Sequence, residues 1–95
     1  MLEQVKLALR ISGYAFDDEI RGLIKAAEAD LEIAGVSNID EKDPLIVRAV
    51  ITYCKANFGE SDQYDRLKAS YDEQKAQLAT HSGHTTWRTG NDGSE

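Results

Sequence analysis

Residues 43–59 read DPLIVRAVITYCKANFG, and the reading of this stretch decides the fold. Asp43 suits a helix N-cap, because its carboxylate can accept from the unsatisfied amides of the first turn. Pro44 suits the first helical position, where a missing N–H costs nothing. Gly59 is placed to end the helix with positive φ. Between them, apolar residues from Leu45 to Phe58 cover most of the cylinder. At about 100° per residue, Arg48, Thr52 and Lys55 fall together in one narrow polar stripe, with Asn57 outside it. A helix apolar on nearly every side must be enclosed by others. The expected class is therefore all-α, a small four-helix bundle built around this rod and followed by an extended C-terminal tail.

Working outward toward the N-terminus, residues 17–34 carry a second clear period. Asp17 reads as an N-cap, with Asp18 and Glu19 in the first turn, where the helix dipole favours anions. Ile20, Leu23, Ile24, Ala27, Leu31 and Ala34 cluster within about 100° of arc, the width of a core-facing stripe. Gly35 closes the helix. Gly22, Ala26, Ala29 and Ile33 share the opposite side at spacings of four, three and four. Small residues there let another helix approach closely. Three readings stand: a helix packed on two sides within one chain, chance use of alanine, or a contact with another subunit.

Residues 2–11 predict a short helix with Leu2, Val5 and Leu9 on one face. It is too short to persist undocked. Ser12-Gly13 breaks the period, and Tyr14 and Phe16 are expected to anchor the turn that follows. The connection from Val36 to Lys42 has one firm anchor, Ile39. Its acids, Asp40, Glu41 and Asp43, lack the alternating ligands and central glycine of a calcium loop. A solvated loop ending in a cap is the expectation.

Beyond Gly59, Ser61 is placed to cap a last helix running to about Ala79. Tyr64, Leu67, Tyr71 and Leu78 form a narrow seam there, with Gln74 at the missing heptad position. Asp62–Arg66 and Lys68–Asp72 have the spacing of helix-stabilising ion pairs, each worth about 0.2–0.5 kcal/mol. Most of this helix should stay wet or serve a neighbour. Residues 80–95, THSGHTTWRTGNDGSE, have no period. Ordering them would cost on the order of 16–32 kcal/mol. Burying Trp87 would return only about 4–6 kcal/mol. That division gives a helical domain over 1–79 and a flexible arm over 80–95, for which His84, Trp87 and Arg88 are the candidate docking residues.

Composition narrows the function. The 95 residues make one small domain without room for a deep private cleft, and the net charge of −6 argues against nucleic-acid binding as the main task. The single Cys54 sits on the core rod, which favours a small hydrophobe in a reducing compartment over a reactive thiol. No apolar run approaches the roughly 18 residues of a membrane span, and the N-terminus lacks a signal-peptide pattern. A soluble, cytoplasmic protein is expected. There is no phosphate-binding loop, no Cys-x-x-Cys and no nucleophile elbow. His81 and His84 have no third ligand nearby in sequence. No catalytic residue, metal site or cofactor is expected. Arg48 and Lys55 are either surface charges or partners for a neighbour's carboxylates.

In order and spacing, three blocks resemble the gp6-like head–tail connector (adaptor) proteins of tailed phages. They are Leu7-Ala8-Leu9-Arg10-Ile11; Phe16-Asp17-Asp18-Glu19-Ile20 with Leu23-Ile24-Lys25-Ala26-Ala27; and Asp43-Pro44-Leu45-Ile46 through Ala49-Val50-Ile51-Thr52-Tyr53 to Phe58-Gly59. With Ser70-Tyr71 the likeness spans roughly residues 2–79. It implies a helical bundle that assembles with itself as a ring of about twelve subunits beneath the portal protein. Such a ring extends the DNA channel and receives a stopper (head-completion) or tail protein. DNA passes without specific binding, and no membrane is involved. The implied location is the virion's head–tail interface, after assembly in the host cytoplasm. The interface residues expected on this reading are Gly22, Ala26, Ala29, Ile33, Arg48 and Lys55. The alternative is a generic helical protein–protein interaction module that binds one partner helix through the Tyr64–Leu78 seam.

Overall fold

The structure, a computed structural model, describes residues 1–59 and 61–80. It consists of four helices, α1 (Leu2–Leu9), α2 (Asp17–Ile33), α3 (Pro44–Asn57) and α4 (Tyr64–Thr80). The all-α bundle expected from the periods is what forms. α3 is its hub: it touches each of the other three helices, and α1 and α2 also pack on each other.

The start of α3 follows its local signals. Asp43 Oδ1 accepts from the Leu45 amide at 2.9 Å, and Pro44 opens the helix. Asp40 Oδ1 accepts from the Lys42 amide, so two of the three loop acids serve as turn and cap acceptors. Ile46, Ala49, Val50 and Cys54 have no exposed surface. Burying side chains the size of Ile46 or Val50 stabilises by about 1.5–3 kcal/mol each. The rod is not enclosed all round, however. Leu45 is 48% exposed, and Val47 and Ile51 are only partly covered. Thr52, read as part of the polar stripe, is buried and returns its hydroxyl to the Arg48 carbonyl at 3.0 Å.

α2 buries Ile20, Ile24, Ala27 and Leu31, four members of the expected stripe. Leu23 is half-buried, and Ala34 is the exposed C-cap. The helix ends where the glycine predicts. Gly35 takes φ +101°, its amide meets the Glu32 carbonyl, and the Val36 amide reaches back to Leu31. This six-to-one closure satisfies carbonyls the helix leaves open. α1 ends the same way, with Arg10 at φ 61° in the glycine's role and the Ile11 amide on the Lys6 carbonyl. A side chain in that left-handed region costs roughly 1–2 kcal/mol.

At the start of α2 the expectation fails. Phe16 occupies the N-cap and makes no side-chain cap, and Asp17 is already helical. The Asp17 carboxylate is drawn instead to Lys6 Nζ, 2.8 Å away. Lys6 is 6% exposed, donates to the Gly13 carbonyl, and lies 5.1 Å over the Tyr14 ring. Burying an ammonium is tolerable only with such partners. Thus Lys6, not Tyr14, pins the α1–α2 turn. Tyr14 is 84% exposed, and Phe16 sits half out, edge-on to Phe58 at 5.4 Å.

α3 and α4 run antiparallel, joined through Gly59 at φ +65°. Ala56 and Asn57 face Tyr64 and Lys68 at one end, and Leu45 faces Leu78 at the other. α4 begins at Tyr64, later than a cap at Ser61 would place it; Ser61 Oγ accepts from the Gln63 amide in the turn before the helix. The Lys68–Asp72 pair forms at 2.9 Å, whereas Arg66 donates to Gln63 Oε1 in place of the expected Asp62.

Candidate functional site

Three surfaces carry the candidate residues. The first is the outer side of α2. Gly22, Ala26, Ala29 and Ile33 are all exposed, Ile33 to 84%. A Cβ built at Gly22 would meet nothing within 4 Å. Among the described residues nothing packs on that side: α2 uses one face for the core and leaves the small-residue face bare.

The second surface is a groove between α3 and α4, reaching the loop before α3 and the Gln4 end of α1. Its volume is about 670 Å³, its apolar members are Pro44, Val47, Ile51 and Leu67, and Arg48, Thr52 and Lys55 all line it. The two cations singled out from the sequence thus share one concave surface. Sequence reasoning missed Lys42 and Arg66, which join them there. The helix period places Arg48 and Lys55 on one side of α3, but only the α3–α4 pairing adds residues from the loop and from α4.

The third surface is a polar clasp between α2 and α4. Tyr71 donates its hydroxyl to Asp30 Oδ2 at 2.7 Å, and Lys75 Nζ donates to the same oxygen at 3.0 Å. Tyr71 also meets Tyr53 edge-on, with ring centroids 5.2 Å apart. Burial pushes the Asp30 carboxyl up, but the hydrogen bonds from Tyr71 and Lys75 outweigh it and hold it below the usual aspartate range. Burial and the neighbouring Asp30 push the Tyr71 hydroxyl up. On the other side of α2, burial and a hydrogen-bonding Glu41 carboxyl raise Glu28. Asp30 and its α4 partners are separated by 41 and 45 positions, so no local spacing announces them.

The Tyr64–Leu67–Tyr71–Leu78 seam is spent inside the chain. Tyr71 and Leu78 are buried, Leu67 is half-buried, and only Tyr64 stays largely open at 40%. A partner helix would find little of it left. Next to the seam, Gln74 Oε1 is buried with no hydrogen-bond partner among the described residues. Cys54 is fully buried, and burial pushes its thiol up to about 12, which removes the thiolate a nucleophile needs. Among the described residues no group of three or more His, Cys, Asp or Glu is placed to hold a metal ion, and no helix is long and apolar enough to cross a membrane. His84, Trp87 and Arg88 lie outside the described residues.

What the geometry presents is surface for contact: one bare helix face, one basic groove, and no cleft with converged reactive groups among the described residues. Comparison with known proteins agrees in kind. Neither the curated proteins nor the solved structures return a match. A family model described as "Phage connector protein" matches residues 1–85. That span takes in all four helices and most of the chain, so the chain belongs to the phage connector protein family, structural components of the virion's head–tail junction.

Proposed function

We propose that the protein is a head–tail adaptor that assembles as a closed ring under the portal, lengthens the DNA channel, and joins the head to a stopper or tail protein. The family match over residues 1–85 carries this reading. Three physical features support it. A net charge of −6 suits the lining of a channel through which DNA slides, since like charge discourages sticking. The bare face of α2 and the cations of α3 offer lateral contacts, with Gly22, Ala26, Ala29, Ile33, Arg48 and Lys55 as the subunit interface. A buried, unreactive Cys54 fits a protein that works by shape and assembly and catalyses nothing. Residues 1–79 are the connector domain. Residues 80–95 are the arm, with His84, Trp87 and Arg88 docking on the portal. Assembly takes place in the host cytoplasm.

Native mass spectrometry, alone and with the portal of the same phage, tests the ring. A chain that stays single at every concentration and ignores the portal defeats the proposal. Ala29→Glu should abolish assembly and leave the helical circular dichroism intact, because Ala29 is exposed in the single chain. Removing residues 80–95 should spare the bundle and weaken portal binding; unchanged affinity would rule out the arm.

A further inference from the structure

The charges of this chain are divided unevenly between its helices, and the fold pairs only some of them. α3 carries Arg48 and Lys55 and no acidic residue. α2 carries six acidic residues (Asp17, Asp18, Glu19, Glu28, Asp30 and Glu32) against two basic ones (Arg21 and Lys25). Within the chain, Asp17 pairs with Lys6, Asp18 with Arg21, and Asp30 with Lys75. Glu28 is hydrogen-bonded with Glu41. That leaves Glu19 and Glu32, both exposed and in no ion pair among the described residues. At about 100° per residue they flank the bare stripe, Glu19 on one side and Glu32 on the other.

The groove has the opposite character. Arg48 and Lys55 stand on its α3 side, Arg66 on its α4 side, and Lys42 in the loop before α3. None of the four has a carboxylate within ion-pair distance among the described residues, where the lysines and arginines in ion pairs are Lys6, Arg21, Lys68 and Lys75. The groove's one acid, Glu41, already faces the N-terminal amino group at 3.6 Å. Below the cations, Val47, Ile51 and Leu67 offer apolar surface. The helix offers a low ridge with Glu19 on one flank and Glu32 beside the exposed Lys25 on the other, net acidic against a groove with apolar residues below and cations on both sides. Small residues let the helix sit deep, and Ile33 supplies an apolar contact at one end.

We propose that the α3–α4 groove receives the outer face of α2 from a second copy of the chain, with Glu19 and Glu32 of the incoming helix set against the groove's cations. The proposal rests on the ring reading above and names its two joining halves. Because the halves are different surfaces, each copy gives one and takes one. Such a contact is head-to-tail, and it propagates until the rotation closes, where a self-complementary contact would stop at a dimer. A charge-matched rim also makes association salt-dependent.

Charge reversal tests the pairing. One variant carries Arg48→Glu with Lys55→Glu; a second carries Glu19→Lys with Glu32→Lys. All four residues are exposed, so circular dichroism should match the parent. Each variant alone should lose assembly by at least about tenfold in native mass spectra. An equimolar mixture should regain it, as rings in which the two variants alternate, since each reversed groove then meets a reversed helix and each native groove a native one. Variants that assemble like the parent, or a mixture that stays dispersed, overturn the pairing and leave the ring itself standing. A parent chain that never assembles, with or without portal, overturns the ring reading instead.

Discussion

α2 and α4 are the same length, 17 residues each, yet the bundle holds them in different ways. α2 is held by apolar surface: four buried side chains at helical spacing, closed by the Gly35 turn. α4 commits only Tyr71 and Leu78 to the interior, one heptad apart, and adds a two-donor clasp on Asp30. Between its two anchors sits Gln74, whose buried oxygen accepts from none of the described residues. The first helix is part of the core. The second is fastened to it. An assembly subunit can use both: one helix to present a bare face, and another whose flank lines the groove beside α3.

The strongest challenge to this contrast is truncation of matching leucines. Leu31→Ala should cost about 3–4 kcal/mol and lower the stability of the whole bundle, because the cavity is enclosed. Leu78→Ala should cost nearer 2 kcal/mol, since the end of α4 can collapse or fray. Hydrogen exchange should then accelerate across the chain in the first variant and mainly in α4 in the second. Equal, global effects would erase the distinction.

A smaller effect should come from the clasp. Tyr71→Phe should cost about 1 kcal/mol at neutral pH, discounted because Asp30 is partly open to solvent. Asp30 is held below its unfolded value, so its contribution is present above the ordinary aspartate range and fades as pH falls through the lower folded value. The gap between parent and Tyr71→Phe in urea unfolding should close on that acid side. A gap that widens there would mean the hydroxyl does not work through Asp30.

The smallest effect belongs to the outer face of α2. Gly22→Ala should raise monomer stability by about 0.5–1 kcal/mol, since glycine is costly in a helix interior and the site is open. The expected accompaniment is weaker assembly, because the added methyl group lifts the approaching neighbour. A gain in stability with unchanged assembly would take Gly22 out of the interface.

What could be read from the residues followed from how local each signal is. The α3 cap needs only Asp43 and Pro44 side by side, and the core face of α2 needs only a period within one helix. The small-residue face was visible for the same reason, but its direction was not, because a period tells which residues share a side and not what lies beyond it. Lys6 is announced by no period or motif. Its burial depends on Gly13 and Asp17, which come within reach only after the α1–α2 turn has formed. The clasp on Asp30 joins residues more than forty positions apart and could not be anticipated from any spacing. The groove was half legible: Arg48 and Lys55 declare themselves on α3, whereas Lys42 and Arg66 are added by the way the chain folds back.

Cys54 has one further use. As the chain's single sulfhydryl, shut inside the hub helix and with its proton held well beyond neutrality, it cannot meet an alkylating reagent until the packing around it parts. The rate at which iodoacetamide marks it is therefore a clock for opening of the centre, insensitive to fraying at the periphery. Run on free subunits and on the proposed ring, that clock would register how far assembly quiets the interior of each copy.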